Sequence, residues 1–492
     1  MTVTDQTPRM DDDRRRWLAM YVLCLGSLMI VLDATIVNVA LPSIRDDLGF
    51  SQTSLAWVVN AYLLTFGGCL LLGGRLGDLY GGRRLFLLGI GLFTLASVCC
   101  GLATSQGPLI VARAVQGVGG AIASAVSLSL IMTLFSEPTD RAKAMGVFGF
   151  VASGGGSIGV LLGGVLTDVL DWHWIFLVNV PIGVVVSLLS RRLLPPDRVP
   201  AHRGRLDVGG AVTVTAALML ATYAIVNGNQ NGWTSGETLG LLAGAVALLA
   251  AFVAIEARVA APLMPLRLFR LRNLAVSNVV AMLWAGGMFA WFFMSALYLQ
   301  LVLGYTPLEV GLAFLPGNVI MGILSIGISA RIVMRYGFRR PLAVGLGIAT
   351  VGLLLFARAP VGGDFVVDVL PSMVLLGIGA GIAFNPVLMA AMSDVEPQES
   401  GLASGLVNTA FMMGGALGLA VLASAAAART EDLAAGSSPL DALVGGYHVA
   451  FLLGAAFAVL AAAIGALLLR TPLAASGDEG GGVGEVALAE AQ

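Results

Sequence analysis

The sequence predicts an all-α polytopic membrane protein of about fourteen transmembrane helices, arranged as two six-helix repeats with two extra helices between them. Three observations carry that prediction. Of 492 residues, 58% are hydrophobic and only 11% charged, a balance that a soluble protein of this length does not sustain. Unbroken apolar runs of about twenty residues recur, the length a helix needs to cross a hydrocarbon core, whereas barrel strands would alternate over about ten. Finally, Tyr80-Gly81-Gly82-Arg83-Arg84 returns as Tyr336-Gly337-Phe338-Arg339-Arg340, at an offset of 256 that also carries Arg75 onto Arg331.

Taken in order, residues 1–16 hold Asp11-Asp12-Asp13-Arg14-Arg15-Arg16 and lack the short apolar region and small-residue cleavage site of a signal peptide, so they read as a cytoplasmic tail. Residues 17–190 form the first half, with spans near 17–41, 54–73, 85–104, 108–134, 142–168 and 173–190. A linker, 191–272, contains two extra spans near 207–227 and 238–256. The second half, 273–470, has spans near 274–302, 308–330, 341–358, 367–391, 401–426 and 444–469. Residues 471–492 have no periodic apolar face and read as a disordered cytoplasmic tail.

Charge sets the orientation. Of 27 basic residues, 23 fall on the side of the termini, Arg45, Arg358 and Arg429 fall on the other, and Arg113 lies within a span. Both termini are therefore expected in the cytoplasm. The preference for arginine over lysine and the richness in Ala, Gly and Val point to a GC-rich bacterial source, hence a bacterial plasma membrane. Cys24, Cys69, Cys99 and Cys100 lie in apolar stretches without ligand spacing and read as small buried hydrophobes. No metal or other cofactor is expected.

Further matches join the halves: Gly117 to Ala123 with Gly377 to Ala383, and Gly155 to Gly159 with Gly414 to Gly418. Repeated halves point to alternating access about a central site. Charge breaks the symmetry, because Asp33 corresponds to Phe289, Asp78 to Met334 and Arg113 to Met373. The first half is thus expected to hold the ion-coupling machinery, and the second to offer a largely apolar wall.

Asp33 is the most informative residue. An acid inside a span costs roughly 2.5 to 3.5 kcal/mol on insertion scales, which marks it as a working group or as a structural ion pair. Counting 1.5 Å per residue places Asp33 and Arg113 at similar depths, near the outer face, where they can meet. Desolvation favours the neutral acid and a close guanidinium favours the carboxylate, a conflict that a carrier can use to bind and release a proton. Asn38, Gln116 and Asn179 are candidates for lining a substrate cavity or for bridging helices, and Phe289, Trp291, Phe411 and Met412 for its apolar wall or for ordinary helix packing.

These residues carry a resemblance. Gly74-Arg75-Leu76-Gly77-Asp78-Leu79-Tyr80-Gly81-Gly82-Arg83-Arg84 resembles the loop 2–3 signature of the major facilitator superfamily, and Arg113 to Gly120 resembles its fourth-span signature. Leu32 to Pro42 and Trp172 to Gly183 resemble its fourteen-span drug/proton antiporter branch. The resemblance spans nearly the whole chain. It implies a multidrug or antibiotic exporter driven by protons, and a cytoplasmic gate at Gly74, Arg75, Asp78, Gly81, Arg83 and Arg84 in which Asp78 latches the two halves. Gly155, Gly159, Gly163 and Gly164 resemble the antiporter signature of span 5 and read as a helix-packing hinge, with Val160 where that signature has proline. Phe411 and Met412 stand where many relatives carry arginine and glutamine.

Export of a small lipophilic compound in exchange for protons is the first reading. An uptake symporter or an exporter of a non-drug solute is the alternative, and a membrane-embedded enzyme is a distant one. No Gly-x4-Gly-Lys-Ser/Thr loop is present, so no ATP is expected to drive the cycle, and nothing points to nucleic acid. The three histidines, His173, His202 and His448, are scattered, and Asp394, Glu396 and Glu399 read as a solvated turn. The expected partners are a small-molecule substrate, protons and the lipid bilayer.

Overall fold

Sixteen helices follow from the apolar runs and from the residues that punctuate them: α1 Met10–Leu48, α2 Trp57–Tyr80, α3 Gly82–Gly101, α4 Gln106–Leu134, α5 Pro138–Val169, α6 Trp174–Leu177, α7 Asn179–Leu193 and α8 Val208–Asn231. They continue as α9 Gly236–Glu256, α10 Arg272–Leu297, α11 Pro307–Ile323, α12 Ser329–Tyr336, α13 Arg339–Phe356, α14 Leu370–Met392, α15 Ser400–Ala434 and α16 Pro439–Leu468. The computed structural model describes residues 10–51, 53–135, 137–197, 207–259, 262, 264–396 and 399–470. Among these, twelve helices are long and apolar enough to cross a membrane, and two apolar segments, Gly155–Val169 and Pro307–Ile323, are shorter.

Local chemistry sets the ends. Thr306 and Glu309 form a reciprocal capping box at the start of α11, whose first residue is Pro307, and the Ser438 side chain caps α16 ahead of Pro439. Gly81 (φ 100°) and Gly337 (φ 70°) turn the chain into α3 and toward α13, in backbone conformations that a side chain disfavours. The apolar run 173–190 is broken at Val178 into α6 and α7, because Pro181 has no N–H to return to the Leu177 carbonyl. The run 308–330 passes through a π-helical turn, Leu324–Ile328, into α12.

In the first part of the chain α4 packs on α2 and α3, α1 on α5 and α7, and α3 on α7. In the last part α14 packs on α11 and α13, α10 on α15 and α16, and α13 on α16. The pair α8 and α9 lies against α2 and α15 through α8. The outward surface is apolar, with Leu88, Leu95, Val111, Val184, Val246 and Leu467 exposed, as lipid contact requires. Cys99, expected to be buried, is also exposed; Cys24 and Cys100 are buried.

The two parts meet closely at the end of the bundle away from the first residues of α1. Gln300 Nε2 donates to the Val39 carbonyl at 2.8 Å. A methyl group at Gly164 of α5 would lie 2.6 Å from the Pro307 carbonyl, and one at Gly311 of α11 would lie 3.0 Å from the Val160 carbonyl. Val160 is therefore part of a backbone-to-backbone contact between α5 and α11.

Candidate functional site

Two glycines of α4 decide how near its neighbours come. A methyl group at Gly117 would lie 2.5 Å from the Tyr62 carbonyl of α2, and one at Gly119 would lie 2.6 Å from the Phe93 amide of α3. Without side chains there, α4 lies directly against both backbones. Arg113 and Gln116, three residues apart on one face of α4, are carried into the space between α1, α2, α3 and α7.

There they meet Asp33. The Asp33 and Arg113 side chains are 0% and 1% exposed, and Arg113 Nη1 donates to Asp33 Oδ2 at 2.5 Å. Asp33 Oδ1 accepts from Gln116 Nε2 at 2.6 Å and from Asn179 Nδ2, on the first residue of α7, at 3.0 Å. Arg113 Nη1 also donates to Gln116 Oε1 at 2.7 Å, and its Nε donates to the Val58 carbonyl at 2.9 Å. The guanidinium carbon lies 4.4 Å from the Tyr62 ring centroid and 5.6 Å from that of Phe176, so its faces are covered by aromatic rings.

Ser97 of α3 completes the cluster. Its Oγ accepts from Gln116 Nε2 at 2.8 Å and from Asn179 Nδ2 at 3.4 Å, and donates to the Phe93 carbonyl at 2.8 Å. Sequence reasoning did not single out Ser97 or Tyr62; a lone serine or tyrosine in an apolar run gives no signal of its own. The carboxylate receives three donors and offers none, which is the pattern of the ionised acid. A proton cancels the charge that pairs with Arg113 and adds an O–H that none of the three N–H groups can accept, so protonation weakens the hold of α4 and α7 on Asp33. Charge state and the arrangement of the helices are thereby linked.

Asn38 is buried but donates to the Thr35 carbonyl of its own helix, apart from the Asp33 cluster. Phe289 of α10 and Phe411 of α15 stand edge to face, with centroids 5.9 Å apart, and Phe384 of α14 approaches Phe411 at 6.2 Å. Trp291 is buried against Phe292 and Phe314 instead, with no partner for its Nε1 among the described residues. Met412 packs near Gly67 of α2. Gly155, Gly159 and Gly163 line the face of α5 that lies on Leu28, Val31, Leu32, Thr35 and Ile36 of α1, while Gly164 faces α11.

In the turn between α2 and α3 the structure supplies a residue that the sequence did not mark. Asp197, beyond α7, accepts from the Arg83 amide at 2.8 Å and from the Arg84 amide at 3.1 Å, and lies 3.8 Å from Arg84 Nε. Arg83 Nη2 donates to the Arg191 carbonyl at 2.5 Å. Gly74 has open space around it and Arg75 is exposed. The side chain of Asp78, named as a latch, lies outside the described residues.

A bundle of membrane-length helices that buries an ionisable cluster where five of them converge is the architecture of a membrane transporter. The Major Facilitator Superfamily profile matches residues 23–419. The chain is 40% identical over 469 residues to the puromycin resistance protein pur8 of Streptomyces alboniger, covering 94% of this chain and 91% of that protein. It is also 40% identical over 460 residues to the cephamycin export protein CmcT of Amycolatopsis lactamdurans, covering 92% and 93%. Among solved structures, an auto-inhibited peptide transporter of the POT family shares the fold with a TM-score of 0.63 at 16% identity, covering 92% of this chain and 96% of that one. The chain belongs to the Major Facilitator Superfamily, in its branch of drug and antibiotic exporters. It is a multi-pass transporter of a bacterial plasma membrane, not an enzyme.

Proposed function

We propose that this chain exports a small lipophilic organic compound in exchange for protons by alternating access, with Asp33 as the proton site and Arg113 as the cation that competes with the proton. The observation that carries this reading is the buried Asp33 carboxylate, whose three donors come from α4 and α7 and lose their charged acceptor when the acid is protonated. At about 2.3 kcal/mol per charge per 100 mV, one proton per cycle supports useful accumulation. Phe289, Phe411 and Met412 are proposed to face the compound, and Gly74 to Arg84 to form the cytoplasmic gate.

We also propose fourteen spans, counting α5 and α11, in two six-helix halves (17–190 and 273–470) around the linker 191–272, with both termini cytoplasmic. The packing supports this division. The contacts of α1 with α4, α5 and α7, of α4 with α2, α3 and α5, and of α3 with α7 have counterparts among α10, α11, α13, α14, α15 and α16, that of α2 with α3 is matched by α12 with α13, and the cross pairs α5 with α11 and α2 with α15 exchange under the same correspondence.

The test is substrate-induced proton release in inside-out vesicles with a preset pH gradient, comparing wild type with Asp33→Asn. Puromycin and a cephamycin are the first compounds to try, because the two relatives are named for them. Dissipation of the gradient by a transported compound in wild type alone supports coupling through Asp33. Equal responses in both proteins refute it.

A further inference from the structure

The turn into α3 and the turn toward α13 are built alike. Gly81 and Gly337 both have positive φ, and Arg83 and Arg339 both reach back to the closing turn of a neighbouring helix, Arg83 to the Arg191 carbonyl of α7 and Arg339 to the Ala466 carbonyl of α16. Arg15 and Arg272 repeat the pattern, donating to the Arg192 and Leu468 carbonyls. The anion does not repeat. After α7 the chain reads Pro195-Pro196-Asp197, and that carboxylate neutralises the first turn; after α16 it reads Arg470-Thr471-Pro472-Leu473, with no acid. Among the described residues, none of Arg331, Arg335, Arg339 and Arg340 pairs with a carboxylate.

At this second turn lies a cavity of about 500 Å³ lined by Tyr336, Arg339, Arg340, Ala343 and Ala466. Its surroundings are amphipathic. Arg335 stacks over Tyr336 with its guanidinium carbon 5.4 Å from the ring centroid, and Met334 and Tyr336 are exposed beside it. From the cavity, Val344 and Val351, seven residues apart on α13 and both exposed, run toward the middle of the bundle's outer surface. Cationic groups at one end and an apolar outward stripe at the other match a molecule with an anionic head and hydrocarbon tails.

We propose that this cavity is a binding site for an anionic phospholipid, whose phosphodiester takes at the α13 turn the place that the Asp197 carboxylate takes at the α3 turn. The acyl chains lie along Val344 and Val351. The aliphatic stripe favours a lipid over free phosphate or over an acidic peptide segment, neither of which has apolar surface to set against it. Basic pockets at the level of the headgroups recognise lipids in this way.

The experiment is native mass spectrometry of the purified full chain, titrated with phosphatidylglycerol or phosphatidylcholine. The expected result is selective retention of phosphatidylglycerol by wild type, weakened about fivefold by Arg340→Gln, the loss expected for one guanidinium at the headgroup level. Arg84→Gln, at the turn already occupied by Asp197, leaves retention unchanged. Equal retention by wild type and Arg340→Gln overturns the proposal, as does equal retention of the two lipids. Competition by excess glycerol phosphate would identify a soluble phosphate site and overturn the lipid assignment. A several-fold gain in lipid binding on truncation after Ser476 would identify Asp478 and Glu479 of the chain's own tail as the occupant and overturn it equally.

Discussion

Neutralising Asp33 and Arg113 separately and together measures the pair directly. In Asp33→Asn the new amide oxygen can stay opposite Arg113 Nη1, but the new NH2 then faces Gln116 Nε2 and Asn179 Nδ2, both donors. Turning Gln116 over places its NH2 against Arg113 Nη1, which it now accepts from, so at least one donor is left unsatisfied at about 1–3 kcal/mol. The guanidinium also loses its counter-charge in a site from which water is excluded, and breaking a buried pair from one side costs about 3–5 kcal/mol. The Val58 carbonyl and the Tyr62 ring retain part of its stabilisation, which places the single variant near the lower end of that range, about 3 kcal/mol. Arg113→Gln is expected to lose at least as much. The double variant buries no charge, so the two losses should fall short of additive by about 3 kcal/mol. The assay is equilibrium unfolding of the purified protein in mixed micelles, with all four proteins compared. Additivity to within about 0.5 kcal/mol would refute the argument that the two charges stabilise each other. In transport, Asp33→Asn should still exchange substrate against substrate while releasing no protons.

Other substitutions test the surroundings. Ser97→Ala removes an acceptor from both Gln116 and Asn179, with an expected loss of about 1 kcal/mol and a displaced pH profile of transport; an unmoved profile would show that Ser97 is only a packing residue. Gly159→Ala drives a methyl group to 3.0 Å from the Leu32 carbonyl and into the Thr35 hydroxyl, costing about 1–3 kcal/mol, whereas Gly156→Ala, 3.9 Å from Thr35 Cγ2, should be tolerated; equal melting temperatures for the two variants would contradict the packing of α5 on α1. Asp197→Ala leaves two amides of the first turn of α3 without their acceptor and should cost about 1 kcal/mol, read as a lowered melting temperature; no change would mean that water caps the turn equally well.

The membrane-embedded charges were legible because lipid makes them expensive, so Asp33 and Arg113 stand out in a chain this apolar. Gln116 and Asn179 also stood out, but nothing in the sequence distinguished Asn179, which reaches Asp33, from Asn38, which turns back on the Thr35 carbonyl. That difference depends on how the helices cross, and the crossing is set by contacts at Gly117 and Gly119 with chain segments distant in sequence. Ser97 was illegible for another reason: a serine hidden in a helix satisfies itself on the carbonyl four residues back, as Ser97 does on Phe93, and so costs little to bury anywhere. Asp197 sits in a polar Pro-Pro-Asp linker, where any acid looks solvated; its role appears only when the chain brings it to Arg83. The break at Val178 was legible in principle, since Pro181 removes one helical hydrogen bond, but the unbroken hydropathy of 173–190 concealed it.

The position of the buried Asp33–Arg113 pair in the first half raises the question of how the other half is made to move. On the proposed mechanism the answer lies behind Asp33. The side of α1 next to Asp33, at Val31, Leu32, Thr35 and Ile36, rests on Gly155, Gly159 and Gly163 of α5, and the next residue of α5, Gly164, rests on Pro307 and Leu308 of α11. Each of these contacts is made to backbone or to the first atoms of a side chain, where no flexible side chain is available to absorb a shift. Close-packed contacts of that kind transmit displacement. When protonation weakens the hold of Arg113 and Asn179 and α1 changes its position against α7, α5 must follow or separate, and the second half registers it at the junction with α11 and at the Gln300 bond to α1 itself. Placing Asp33 on α1 therefore puts the proton site on a helix that meets the second half directly at Val39 and, through the glycines of α5, at Pro307 and Leu308.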